Sequence, residues 1–206
     1  MKLYDTPRAP NPRRVRWVMA EKGIDDVEIV TVNLMAGEHR TPEYMAKTGM
    51  AQAPVLELDD GTCFSESVGI CRYLEAKYPE PNLFGRTPEE TAVIEMWTRR
   101  AEMMLATPYM LGVRHGHPAL AALEKQEPVV GEWNLGSANR ALKVFDRRLA
   151  ESPWIGADRI TIADIVAFIS YDFARGMLKY EVPPEMTNVV RWIGDMRARP
   201  AAAVAK

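Results

Sequence analysis

The sequence predicts a small α/β domain followed by an all-α helical bundle, and three observations carry that reading. Residues 2–5, 27–32 and 55–58 are short runs of strand length and strand composition. Asp60-Gly61 is a tight hairpin dipeptide between two such runs, after which the apolar spacing turns helical. Beyond Thr87-Pro88 nothing reads as a strand, while caps and apolar stripes of helical period recur to the end. Pro79-Glu80-Pro81-Asn82 ends a helix and opens a linker. The expected division is 1–79 for the first domain, 80–88 for the linker and 89–206 for the all-α domain.

The chain has 206 residues, 47% hydrophobic and 26% charged, which suits a globular protein with a sizeable core. A formal charge of −2 gives no reason to expect nucleic acid or an anionic membrane as partner. No apolar run approaches the ~18 residues that span a bilayer, and Met1-Lys2-Leu3-Tyr4 does not open a signal peptide. Cys63 and Cys71 are the only cysteines, with neither a CxxC pair nor a disulfide framework. A cytoplasmic protein is the expectation.

Residues 2–5 make the first strand. Asn11 then suits an N-cap and Pro12 the first helical position. Val15, Val18 and Met19 form the buried stripe of this helix, and Gly23 stops it. Residues 27–32 are almost continuously apolar, as in a strand buried in a parallel pairing. The order β-α-β, an intervening segment, then β-β-α fits a thioredoxin-like domain. Thioredoxins need a nucleophilic cysteine where the first strand meets its helix. Ala9-Pro10-Asn11-Pro12 stands there instead, which argues against a redox role of that kind. Arg13, Arg14 and Arg16 lie in the first turns, where the helix dipole disfavours exposed cations by roughly 0.3–1 kcal/mol each. They fit either a solvated face paired with carboxylates such as Glu21, or an anionic ligand held close by.

Residues 52–73 hold the densest chemical signals. Ile70, Tyr73, Leu74 and Tyr78 share one helical face, so Ser65, Glu66 and Ser67 sit where that helix begins. Unpaired N–H groups and a partial positive charge there suit a carboxylate, and Glu66 beside them suits an ammonium group. Together they offer paired recognition of an α-amino acid. The same residues also fit a plain Ser cap followed by an acidic first turn. Pro54 cannot donate to a sheet ladder, so at a strand's start it belongs at an edge. Its carbonyl and the Val55 N–H are then available to a bound extended chain.

Gln52-Ala53-Pro54-Val55-Leu56 followed by Glu66-Ser67 resembles the glutathione S-transferases. That family carries a cis proline before its third strand and a Glu/Gln-Ser pair opening the next helix. Gly37-Glu38-His39-Arg40-Thr41-Pro42-Glu43-Tyr44 is similar to the family's Gly-Glu-His-Arg/Lys-Ser-Pro-Glu-Phe segment, with Thr41 as N-cap and Pro42 at the first helical position. The opening from Tyr4-Asp5 to Glu21-Lys22-Gly23 resembles the family as well. The resemblance implies that Gln52, Ala53, Pro54, Val55, Glu66 and Ser67 bind glutathione, a tripeptide with two carboxylates. It puts His39 near the glycyl carboxylate, and Arg13 fits the anionic ligand. It also implies a homodimer and a small hydrophobic electrophile as second substrate.

In the second domain Val93, Met96, Trp97 and Arg100 begin a long helix that Met103, Met104 and Leu105 extend and Pro108 limits or kinks. Met103, Met104, Tyr109, Leu111 and Arg114 suit a promiscuous substrate wall, although core packing explains any one of them alone. His115-Gly116-His117 lacks further ligands at metal spacing, so no metal is expected. Leu135, Leu142, Phe145 and Leu149 mark a helix over 134–149. Thr161 and Asp164 approximate a capping box, with Ile160 and Ile165 as its staple, before a largely buried helix. Trp154-Ile155-Gly156, that cap and the ending from Val190 to Pro200 again resemble the family.

A thiol of pKa ~8.5 is only about 3% thiolate at pH 7. Lowering that value by two units takes ~2.7 kcal/mol of differential stabilisation. In the family a Ser, Tyr or Cys after the first strand supplies the key donor, and here Ala9 stands in the serine's place. Asn11 is the first substitute and Thr6 the second; Arg13 is possible and Tyr4 ranks lower. The expected activity is conjugation of glutathione to small hydrophobic electrophiles, or a related thiolytic or peroxidase reaction. The alternative is a glutathione-binding protein with little catalysis.

Overall fold

The computed structural model describes residues 1–123 and 125–204. Four strands, β1 (Lys2–Asp5), β2 (Glu28–Thr31), β3 (Val55–Glu57) and β4 (Cys63–Phe64), form one mixed sheet in the order β2-β1-β3-β4. β1 runs parallel to β2 and antiparallel to β3, and β3 pairs antiparallel with β4. Helices α1 (Pro10–Lys22), α2 (Pro42–Thr48) and α3 (Ser67–Lys77) complete this part of the chain. Helices α4 (Pro88–Ala101), α5 (Thr107–Gly116), α6 (Pro128–Glu151), α7 (Ile162–Leu178) and α8 (Thr187–Ala198) follow without a strand among the described residues. A short α9 (Pro200–Val204) returns to pack on α1. Two compact units result: Met1–Asn82 with the segment from Pro200, and Leu83–Arg199.

In the first unit α1 buries Val15, Trp17, Val18 and Met19, and Gly23 ends it at φ 63°, a left-handed cap that glycine adopts without a Cβ penalty. The N-cap is Ala9 rather than Asn11, and it makes no side-chain cap bond. Helix geometry extends back through Pro10 because the first-turn N–H groups have no intrahelical partner, so prolines at the first and third positions forfeit nothing. The arginines do not form a solvated face: Arg13 and Arg14 are buried, and Arg16 makes an ion pair with the buried Asp5. Lys22 ties the end of α1 to the end of α3 through Glu75 at 2.7 Å and the carbonyls of Tyr78 and Pro81, both at 2.8 Å.

Two strand expectations need correction. β2 is parallel to β1, but it is an edge strand, with only its flanks Val27 and Val32 buried while Glu28, Ile29 and Thr31 are exposed. Apolar composition alone could not distinguish an interior strand from an edge. β3 lies inside the sheet rather than at its edge. Pro54 avoids the ladder by preceding it, and the Ala53-Pro54 peptide is cis. The Asp60-Gly61 hairpin forms as expected, with Gly61 at φ 86° and the Thr62 N–H donating to Asp60 Oδ1 at 2.9 Å.

In the second unit α4 continues through a π turn, Glu102–Ala106, into α5. Pro108 lacks the N–H that would complete the ladder, and the widened turn ahead of it absorbs that loss without ending the helix. α6 begins six residues earlier than the apolar stripe suggested, at Pro128, a proline at the first helical position where no N–H partner is needed. Gly131 lets α6 approach α5 closely: a Cβ there would lie 3.4 Å from the Gly112 carbonyl oxygen. α7 is the core helix, buried along Ile162, Ile165, Val166, Phe168 and Ile169. Its capping box forms, and the buried Asp164 accepts from Thr161 N (2.9 Å), Thr161 Oγ1 (2.8 Å), Ile155 N (2.8 Å) and Trp192 Nε1 (3.0 Å).

Glu90, in the first turn of α4, takes both guanidinium nitrogens of Arg159 and the Arg86 N–H. The Arg159 hydrogen bond, then the Arg86 N–H, holds its carboxyl at about 2, below the ordinary value of 4.5. A depressed folded pKa contributes stability that is complete above about pH 4.5 and is lost as pH falls toward 2. Denaturant melts at pH 5 and pH 2.5 are therefore expected to differ less for Glu90→Gln than for the parent protein. Equal pH dependence in the two proteins would remove Glu90 from acid unfolding.

Candidate functional site

The topology gathers the sequence-predicted residues of the first unit at one end of the sheet. β1 is antiparallel to β3, with Tyr4 opposite Val55, so the carboxyl end of β1 lies beside the start of β3. β2 is parallel to β1, so its carboxyl end, leading to His39, points the same way. The β3–β4 register sets Leu56 opposite Phe64, which brings Pro54 and Val55 beside Ser65 and Glu66. Thr6, Ala9 and Asn11, on the turn from β1 into α1, thus share this end with Gln52, Ala53, Pro54, Val55, Glu66 and Ser67.

α3 begins at Ser67, with Glu66 as an N-cap that makes no side-chain cap bond. Neither the Ser cap nor the acidic first turn exists. Glu66 has φ 67°, a left-handed conformation that costs a non-glycine residue of order 1–3 kcal/mol and clusters at functional sites. Its side chain is exposed. Ser67 is buried, and its Oγ accepts from the buried Arg14 Nη1 at 3.3 Å. That bond leaves the Ser67 hydroxyl proton free to donate outward, and it adds a full positive charge behind the helix's own N-terminal field.

On the β1–α1 turn the Ala9 N–H donates to the Thr6 carbonyl at 3.2 Å, and the Thr6 hydroxyl donates to the Val32 carbonyl at 3.0 Å. Asn11 is half-buried at the second position of α1, and the Arg13 guanidinium lies 6.0 Å from the Trp17 ring centroid. The Tyr4 hydroxyl donates to Glu57 Oε2 at 2.7 Å, where Lys47 Nζ also sits at 2.7 Å. His39 is buried in a 3-10 turn, Glu38–Arg40, and its Nδ1 has no hydrogen-bond partner. Burial, then the nearby Arg40, pushes the imidazole pKa down, which favours the neutral ring. Gln52 is exposed, Ala53 half-buried, and Pro54 and Val55 buried.

In the second unit Met103 and Met104 occupy the π turn and line a groove of about 330 Å³ with Pro108, Ser137, Arg140, Ala141 and Val144. Tyr109 does not reach it. The ring is wholly buried, with centroids 5.4 Å from Tyr180 and 6.5 Å from Tyr171, which leaves it no face for a substrate. Leu111 is half-buried and Arg114 exposed on α5, neither of them lining the groove. The described residues hold no group of three or more metal-ligating side chains. No described helix is long and apolar enough to cross a membrane.

Residues 3–82 match the family model for the glutathione S-transferase N-terminal domain, and residues 101–200 match the model for its C-terminal domain. Glutathione S-transferase 2 of Saccharomyces cerevisiae is 38% identical over 205 residues, covering 98% of this chain and 87% of that protein. The chain belongs to the glutathione S-transferase family. Its fold agrees with solved members. The crystal structure of Gtt2 from Saccharomyces cerevisiae superposes with a TM-score of 0.92 at 36% identity, covering 100% of both chains. A glutathione S-transferase domain-containing protein from Marinobacter aquaeolei gives 0.90 at 38% identity, covering 98% of this chain and 99% of that one.

For this glutathione S-transferase, sequence reasoning missed two side chains at the site's edge. Arg14 looked like one of three helix-surface cations, yet it is the one that reaches Ser67. Nothing in the spacing separates it from Arg13 or Arg16. Tyr44 looked like a helix residue of the α2 segment, yet its hydroxyl donates to the Gln52 carbonyl at 2.8 Å. A tyrosine where the resembling segment has Phe was the available signal.

Proposed function

We propose that this family member conjugates glutathione to small hydrophobic electrophiles. The observation that carries the reading is the start of α3, where a buried Ser67 backed by the buried Arg14 stands next to a strained, exposed Glu66. Ser67 and the helix N–H groups hold the γ-glutamyl carboxylate, while Glu66 holds the α-ammonium. Pro54 C=O and Val55 N–H pair with the cysteinyl backbone, flanked by Gln52 and Ala53. The second carboxylate goes to the side of His39 and Arg13. The thiolate attacks the electrophilic carbon, the new S–C bond expels the leaving group with its electron pair, and the thiol proton goes to solvent. Asn11 donates its amide N–H to the sulfur. Thr6 ranks second because its hydroxyl proton is already given to Val32. Ala9 contributes backbone only. Met103 and Met104 supply the apolar wall with Pro108, Ala141 and Val144, while Tyr109, Leu111 and Arg114 stay outside the groove.

Two outer readings belong with this one: a homodimer, and a detoxifying role in the cytoplasm. Light scattering is expected to give about twice the 23.2 kDa chain mass.

A second reading, glutathione binding with little catalysis, is favoured by one observation: Ala9 offers no hydroxyl where the family has a serine. Retention on immobilised glutathione together with turnover of a chloronitrobenzene supports the transferase. Retention without turnover supports the binding protein, and absence of retention overturns both.

A further inference from the structure

We infer that Tyr44 is a positioning residue for the glutathione-binding backbone: one side chain packs against Val55 and holds the Gln52 carbonyl, gripping the Ala53-Pro54 step from both sides. The inference rests on the glutathione site proposed above. Tyr44 and Val55 are buried in one cluster with Val32, against which Tyr4, Leu34 and Cys63 pack. The hydroxyl reaches out of that cluster to Gln52 O at 2.8 Å. Gln52 itself is exposed, so this bond ties the backbone of an exposed residue to the interior.

The anchor is itself anchored. Tyr44 N donates to the cap residue Thr41 Oγ1 at 3.3 Å, and Lys47, one turn further along α2, meets Glu57 of β3 at 2.7 Å. Tyr4 stands edge-on to Tyr44 with ring centroids 5.9 Å apart. α2 is therefore pinned to the strand whose first residues bind the ligand, and Tyr44 carries that rigidity across to Gln52. Burial pushes the phenol pKa up to about 12, so the hydroxyl remains a donor at any working pH. A binding backbone held in advance spares the ligand the ordering cost of the loop.

Tyr44→Phe keeps the ring and removes only the bond to Gln52. The expected result is a glutathione dissociation constant about three- to tenfold weaker by calorimetry, the size of one net hydrogen bond. The KM for glutathione should rise in step, while kcat at saturating glutathione and the KM for chloronitrobenzene stay at parental values. Amide exchange over 49–56 in the unliganded protein should quicken about as much. Tyr78→Phe is the control, since it removes a phenol hydroxyl bond of the same kind, to Asp26, at the opposite end of the sheet. It should leave glutathione affinity unchanged. Parental affinity and exchange in Tyr44→Phe overturn the inference alone, as does an equal loss in Tyr78→Phe, which would mean general loosening of the first unit. A parent protein that does not bind glutathione overturns the proposed site, and this inference with it.

Discussion

Replacing Glu66 by alanine is expected to weaken glutathione binding about ten- to a hundredfold and to leave the fold intact. The carboxylate is the one acidic side chain at the start of α3, and it is exposed there without a capping task of its own. Among the described residues it makes no cap bond that competes with holding an ammonium group. A charge-assisted hydrogen bond to that group contributes ~1.5–3 kcal/mol, which sets the size of the loss. Backbone strain does not confuse the comparison, because alanine meets the same penalty at φ 67° as glutamate does. Glu66→Gln sharpens the test by keeping shape and one acceptor while removing the charge, and it should fall between parent and alanine. Calorimetry on the three proteins, with circular dichroism to confirm folding, reads the outcome directly. Unchanged affinity in Glu66→Ala removes this residue from the site.

The architecture was legible because local chemistry and global packing agree along most of the chain. Thr41-Pro42 and Thr87-Pro88 open helices as caps should, each threonine hydroxyl accepting from the residue three further on. Asp60-Gly61 makes its hairpin, and Thr161 with Asp164 makes its box. What escaped the sequence was information held in neighbours. An edge strand and an interior one differ by what lies beside them, so β2 and β3 were both misassigned while their existence was not. Asn11 is the better intrinsic N-cap, but two prolines that need no N–H partners let the helix start at Pro10. Arg14 and Tyr44 owe their places to contacts 53 and eight residues away in sequence, with Ser67 and Gln52. Periodicity assigns a residue to a face; it does not say which carbonyl or hydroxyl waits there.

Asn11→Asp is expected to remain folded and to lose about twentyfold or more of its conjugation rate at pH 7. Asn11 lies at the second position of α1, where an added carboxylate suits the helix dipole, so the variant should be no less stable than its parent. Its effect on the sulfur runs the other way. A donor amide is replaced by an anion facing a thiolate, and a like charge at that range raises the thiol pKa. A rise from ~6.5 to ~8.5 cuts the thiolate fraction at pH 7 from roughly three quarters to about 3%. Ala9→Ser is the opposite change. Ala9 is the N-cap at φ −72° and ψ 138°, so a serine there accepts from the Asn11 N–H and still has its own proton to give the sulfur. Conjugation should speed up, and the cap should add ~1 kcal/mol of stability. Thiolate absorbance of the glutathione complex, titrated across pH for parent and both variants, separates these effects from altered binding. If Asn11→Asp titrates and turns over like the parent, Asn11 does not touch the sulfur, and the stabilisation comes from Thr6 or from backbone N–H groups at the start of α1.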